Sequence, residues 1–118
     1  MEMNTTTTTE ISYDNMAFSL CHKVSSYPIS LPVLDAATSF IDFFQQKKLI
    51  FPDVYLLEDD PDAYPIGVVF EWPQLGVFID ITDTYIRLGI VINDDLDSNS
   101  YPLANITMVQ SRLFVAIS

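Results

Sequence analysis

Hydrophobic positions change their period partway along the chain, and the change separates a helical part from a sheet part. Between residues 32 and 48, Val33, Ala37, Phe40, Ile41 and Phe44 recur at helical intervals, while Asp35, Thr38, Ser39, Asp42, Gln45 and Gln46 fill the other side. This spacing predicts an amphipathic helix with one buried face. Ser30 is placed to cap it, Pro32 suits its first turn, and Lys47 and Lys48 sit where the negative end of the helix dipole favours cations. The helix ends at Phe51-Pro52, because the residue before a proline avoids the α region.

After Pro52 the period is two. Residues 54–57 predict a strand, 58–65 an acidic, proline-containing loop, and 67–72, 77–82 and 85–92 three further strands. Pro73-Gln74-Leu75-Gly76 and Asp83-Thr84 are of hairpin length. Pairing Val68 with Ile81, and Ile81 with Ile86, puts these three in one row. Phe70, Ile79 and Leu88 then form the next row, and Trp72, Val77 and Ile90 the third. All nine side chains face one way, and a one-residue slip would scatter them. The same register sets Asp80 opposite Arg87 and Phe78 opposite Gly89 on the other face, an ion pair and an aromatic ring over a bare glycine. The helix is expected to lie on the nine-residue face.

The ends are less regular. Residues 1–12, with the run Thr5 to Thr9, predict a disordered tail, which leaves 13–118 as a single domain. Residues 16–21 predict a strand, 93–100 a second acidic loop, 103–110 a short helix and 111–117 a C-terminal strand. The order indicates an α+β fold: one main helix on an antiparallel β-meander, with additional N- and C-terminal strands.

Composition narrows the function classes. The chain has 118 residues, 5 Lys+Arg against 16 Asp+Glu, a net charge of −11, 1 Cys and 1 His. Acids are about 14% and bases about 4% of the chain, where roughly 12% of each is usual, so the acidity comes from missing bases. Between residues 53 and 97 there are 11 acids and 1 base, and −10 of the −11 lies there. This balance argues against direct binding to nucleic acid or to anionic membranes. The near-average acid content argues equally against a DNA mimic, which needs a densely acidic surface. No run reaches the roughly 18 apolar residues of a membrane span, no signal-peptide pattern opens the chain, and a free Cys21 suits a reducing compartment, so a cytoplasmic location is expected.

Candidate chemistry is sparse. Cys21 and His22 are adjacent, and neighbouring side chains in a strand point apart, which defeats a nucleophile–base pair. One His and one Cys are too few for a zinc site. Gly67, Gly76 and Gly89 are too scattered for a phosphate-binding loop. Asp95, Asp97 and Asn99 have the alternate spacing of a Ca²⁺ loop, but Ser100 stands where the loop needs glycine and Ile106 where it needs a bidentate Glu. Neither catalytic residues, nor a cofactor, nor a metal is therefore expected.

What remains is surface. Val69, Phe78, Tyr85 and Val91 share the outer sheet face with Glu71, Asp80 and Arg87, which is more apolar than a solvated face should be. Either the terminal segments cover it or a partner does. The candidate partner-binding residues are Glu58, Asp59, Asp60, Asp62, Glu71, Phe78, Asp80, Tyr85, Asp94, Asp95 and Asp97, with the two acidic loops as a negative rim for a basic protein.

Phe51-Pro52-Asp53-Val54-Tyr55, followed after a loop by Gly67-Val68-Val69-Phe70-Glu71-Trp72, resembles a pattern in small uncharacterised prokaryotic and phage proteins: a helix, a Pro-x-Val strand and a Gly-x-Val-x-Leu/Phe-Glu-Trp hairpin. The resemblance implies an α+β fold and a bacterial or mobile-element origin, and carries over no catalytic residue. The expected function is a small acidic, non-enzymatic interaction protein that binds and inhibits a basic protein, such as a nucleic-acid-processing enzyme. A phage inhibitor of the anti-CRISPR kind, an antitoxin or an immunity protein would fit. The alternatives are a structural subunit or homodimer using the outer sheet face and, third, a Ca²⁺-binding module.

Overall fold

A computed structural model describes residues 29–58 and 66–117. The elements in order are α1 (Leu31–Lys47), β1 (Asp53–Leu57), β2 (Gly67–Trp72), β3 (Val77–Thr82), β4 (Ile86–Ile92), β5 (Asp95–Tyr101) and α2 (Ile106–Ile117). Single 3-10 turns occupy Pro73–Leu75 and Leu103–Asn105. The strands form one antiparallel sheet in the order β1-β2-β3-β4-β5, giving an α+β fold. The tail predicted for residues 1–12 and the strand for 16–21 lie outside the described residues.

Helix α1 buries the stripe its sequence announces: Val33, Ala37, Phe40, Ile41 and Phe44, with Ala36 added. It stops at Lys48, which takes the left-handed conformation with φ of 55°. The amide of Lys48 bonds the carbonyl of Gln45 at 3.2 Å and that of Leu49 reaches Phe44 at 3.0 Å, a Schellman closure that turns Leu49 into the core. The start differs from expectation. Ser30 is the N-cap residue, but its hydroxyl makes no capping bond and is buried without a partner among the described residues, so Pro32 and the apolar stripe begin the helix without a side-chain cap.

The three rows of the meander pair as the alternation requires, with Val68 on Ile81, Phe70 on Ile79, Trp72 on Val77, and Ile81, Ile79 and Val77 on Ile86, Leu88 and Ile90. This face carries both helices. Phe44 meets the ring of Phe70 at 5.2 Å and that of Trp72 at 5.4 Å, both edge to face. The Trp72 indole N–H donates to the Ile50 carbonyl at 2.9 Å, which fastens the α1–β1 connection to the sheet.

Two segments depart from expectation. Residues 93–100 are not a loop: Asn93 and Asp94, with φ of 53° and 68°, make a two-residue hairpin turn, and Asp95–Tyr101 pairs along β4 from Ile92 to Ile86. Both φ values are positive, as a type I′ turn requires, and Asn and Asp tolerate that region. Asp, Ser and Asn are poor strand formers, but β5 is an exposed edge strand whose ladder is supplied by β4.

Residues 111–117 are not a strand either, and the predicted 103–110 helix is displaced: α2 runs over both segments from Ile106. Val109 and Leu113 are fully buried one turn apart, and buried Gln110 donates Nε2 to the carbonyl and hydroxyl of Ser39, at 3.3 and 3.2 Å. The apolar run from Leu113 to Ile117, with Phe114, Val115 and Ile117 suited to strands, obscures this helical spacing. The C-terminal segment thus covers the inner face beside α1, not the outer face.

On the outer face the Phe78 ring lies over Gly89, where a Cβ would run into the ring. Gly89→Ala should therefore destabilise the domain by about 1–3 kcal/mol, the usual range for overpacking. Adding Phe78→Ala should cost much less than the sum of the single changes. Urea unfolding followed by Trp72 fluorescence measures both.

Candidate functional site

The middle of the outer face is occupied by its own polar network. Arg87 donates Nε and Nη2 to one carboxylate oxygen of Asp80, at 3.0 and 2.5 Å, and its guanidinium stacks 5.2 Å from the centre of the Phe78 ring. Asp80 is 4% exposed and Val69 beside it 2%. One strand further, Tyr55 donates its hydroxyl to Glu71 Oε1 at 2.8 Å. Asp80 is thus committed to Arg87, and Glu71 to Tyr55; neither carboxylate is presented bare to a partner.

The open part of the face lies at the β4–β5 hairpin. Val91 pairs with Leu96, and Ile92 precedes the turn. They are 45%, 55% and 58% exposed. Asp94 lies in the turn, and Asp95 and Asp97 point with Ile92 to the inner side, opposite Val91 and Leu96; all three acids are exposed, and the hairpin has no base beyond Arg87, itself held by Asp80. The arm is fixed at its root, where the Val91 amide donates to the Gly76 carbonyl at 2.7 Å. Gly76 has φ of 65° and its α-hydrogen side faces Val91, so a larger residue would be both strained and crowded there.

The described residues of the two predicted acidic segments lie apart. Glu58 is exposed just after β1, at one edge of the sheet, whereas Asp94, Asp95 and Asp97 lie at the other edge. Four strand spacings separate these edges, about 19 Å. Asp59, Asp60 and Asp62 lie outside the described residues. Tyr85 is half-buried before β4, its carbonyl accepting the Thr82 amide at 2.9 Å. Leu96 and Ile92 are absent from the sequence-derived candidates; the one signal for them is Asn93-Asp94, a pair that tolerates the positive φ of a hairpin turn.

Beside β5 on the inner face runs a trough of about 370 Å³, lined by Leu88, Ile90, Asp97, Asn99 and Tyr101 of the sheet and by Ser111, Arg112 and Val115 of α2. Arg112 lies 5.7 Å from the Tyr101 ring centre and has no ion pair among the described residues. Asp95, Asp97 and Asn99 point the same way as successive inward positions of a strand, roughly 7 Å apart. That splay prevents the convergence a Ca²⁺ loop needs, and among the described residues no three of His, Cys, Asp and Glu cluster.

The described bases are largely taken up by structure. Lys47 lies 5.5 Å from the Phe114 ring centre, and Arg87 and Arg112 lie over Phe78 and Tyr101, leaving Lys48 alone without a ring partner among the described residues. No helix among the described residues is long and apolar enough to cross a membrane. The chain matches no protein-family model, no curated protein and no solved structure.

Burial pushes the Tyr55 phenol up to about 12, and the hydrogen bond and charge of Glu71 add to the effect. The folded form holds this proton more tightly than the unfolded chain, whose value is 10.0. Its stabilising contribution is complete below pH 10 and is lost as pH rises towards 12. Ultraviolet titration of the phenolates should show one group ionising near pH 12, and Glu71→Gln should lower it.

Proposed function

We propose that the protein is a non-enzymatic interaction module that binds and inhibits a basic protein, with the β4–β5 hairpin as its contact surface. The observation that carries this reading is the β4–β5 hairpin, which exposes Val91 and Leu96 on its outer side, Ile92, Asp95 and Asp97 on its inner side, and Asp94 in its turn. Exposed apolar side chains close to charged ones are the ordinary anatomy of a protein-binding patch. The charge has one sign, so it steers and selects a positive partner. Nucleic-acid-processing enzymes fit, because they carry clustered Lys and Arg to neutralise phosphates. A phage or mobile-element inhibitor of such an enzyme, of the anti-CRISPR kind, and an antitoxin or immunity protein are the roles that need only such a surface.

A homodimer or structural subunit is the second reading, since the Val91–Leu96 patch could also meet its own copy. A net charge of −11 on each chain opposes that contact. Light scattering that gives a dimer independent of concentration would favour it.

Co-purification from the source organism at low salt should recover one stoichiometric basic partner, and the complex should weaken as salt rises. Leu96→Ser should cost about 1–2 kcal/mol of binding as a central apolar contact. Asp95→Lys with Asp97→Lys should abolish capture, whereas Asp35→Asn with Asp42→Asn, on the exposed side of α1, should leave it intact. Absence of a partner, or a partner indifferent to the hairpin changes, would refute the assignment.

A further inference from the structure

Strand β5 ends the sheet, and it does so as a long, regular edge. It pairs with β4 over all seven residues, meets no proline before Pro102, and is exposed from Asp95 to Ser100. Among the described residues β4 is its one strand neighbour. Half of its main-chain donors and acceptors therefore face outward, a template on which another strand can form.

Charge decides which strand. Asp95 and Asp97 stand on the inner side, and Leu96 on the outer side beside Val91. Pairing with a second copy brings carboxylates together in the registers centred on Leu96, Asp97 and Ser98, and the net charge of −11 on each chain opposes it in the remaining ones. Centring on Asp97 sets that residue against itself, centring on Leu96 sets Asp95 against Asp97, and centring on Ser98 leaves the two Asp97 carboxylates on a diagonal. Like charges across a strand pair are destabilising. At the other end Arg112, stacked over Tyr101 and without an ion pair among the described residues, makes the inner side positive. The edge thus runs from two carboxylates to one cation.

We propose that β5 takes up a strand of the basic partner as a sixth strand of the sheet. The strand it selects carries a basic–apolar–basic tripeptide: Lys or Arg opposite Asp95 and Asp97, an apolar residue opposite Leu96, and no base opposite Tyr101. This rests on the reading of the protein as a binder of a basic protein and adds the mode of recognition. Main-chain hydrogen bonds hold the strand, and side chains at alternate positions choose it. The stems of the two basic residues extend over the trough floored by Leu88 and Ile90, as long cationic side chains do on apolar surface.

The test is fluorescence anisotropy at low salt with the full chain and a labelled peptide of alternating Lys and Val. A Glu–Val peptide and a Lys–Val peptide N-methylated at alternate amides serve as controls. The Lys–Val peptide should bind and slow hydrogen exchange at alternate β5 amides, and both controls should bind at least about tenfold more weakly. Asp95→Asn and Asp97→Asn should each weaken it about two- to fivefold, as exposed ion pairs do. Arg112→Gln should strengthen it, by relieving the base opposite Tyr101. Equal binding of the N-methylated peptide would overturn strand addition while leaving an acidic binder of basic proteins in place. So would a partner complex that depends on Asp95 and Asp97 yet leaves β5 exchange unchanged. Protection of β5 in the free protein that grows with its own concentration would also overturn it, with a second copy as the occupant.

Discussion

The seating of Phe44 on Phe70 and Trp72 is the contact from which the remaining architecture follows. Three large rings, two of them edge to face with the third, cannot be rearranged without opening a void, because protein interiors are close-packed. They fix α1 across β2 and β3. The Trp72 indole then holds the Ile50 carbonyl, which sets where the chain leaves the helix and enters β1. With α1 over the middle of the sheet, α2 finds its place over β4, tied to α1 through Gln110 and Ser39. No helix remains for β5, which is polar on its inner side and accordingly stays an edge.

The same arrangement explains where the charge is available. In a base-poor chain, most described cations are bound into ring contacts or, for Arg87, a carboxylate that is almost wholly buried. The acids on the β4–β5 hairpin make no ion pair among the described residues, and they share the hairpin with the exposed Val91 and Leu96. A net charge of −11 spread evenly would serve solubility alone; three exposed acids on one hairpin, Asp94, Asp95 and Asp97, give it a direction there.

Legibility differed sharply between elements, for identifiable reasons. The meander register was readable because Val68, Phe70 and Trp72 and their six partners repeat with a period that tolerates no slip, and the Asp80–Arg87 and Phe78–Gly89 pairs followed from it. Strand β5 was not readable, since Asp-Leu-Asp-Ser-Asn-Ser has neither alternation nor strand propensity; its conformation is imposed by the free edge of β4. Helix α2 was misread because Leu113 to Ile117 is rich in residues that suit strands, while its helical spacing shows only when Ile106 and Val109 are counted with it. Reading 93–100 as a loop likewise leaves Leu96 out of the candidate site, because its exposure beside Val91 follows from the strand pairing.

The amino-acid pattern alone determined the α+β class, the bounds of α1, the register of three strands and the shortage of bases, because each depends on local period or on simple counting. Tertiary structure decided which carboxylates are committed, which apolar residues stay exposed and which strand ends the sheet. Those outcomes depend on residues far apart in the chain, such as Gln110 with Ser39 and Asp97 with Ile90, and on the packing of both helices onto one face, which leaves β5 uncovered.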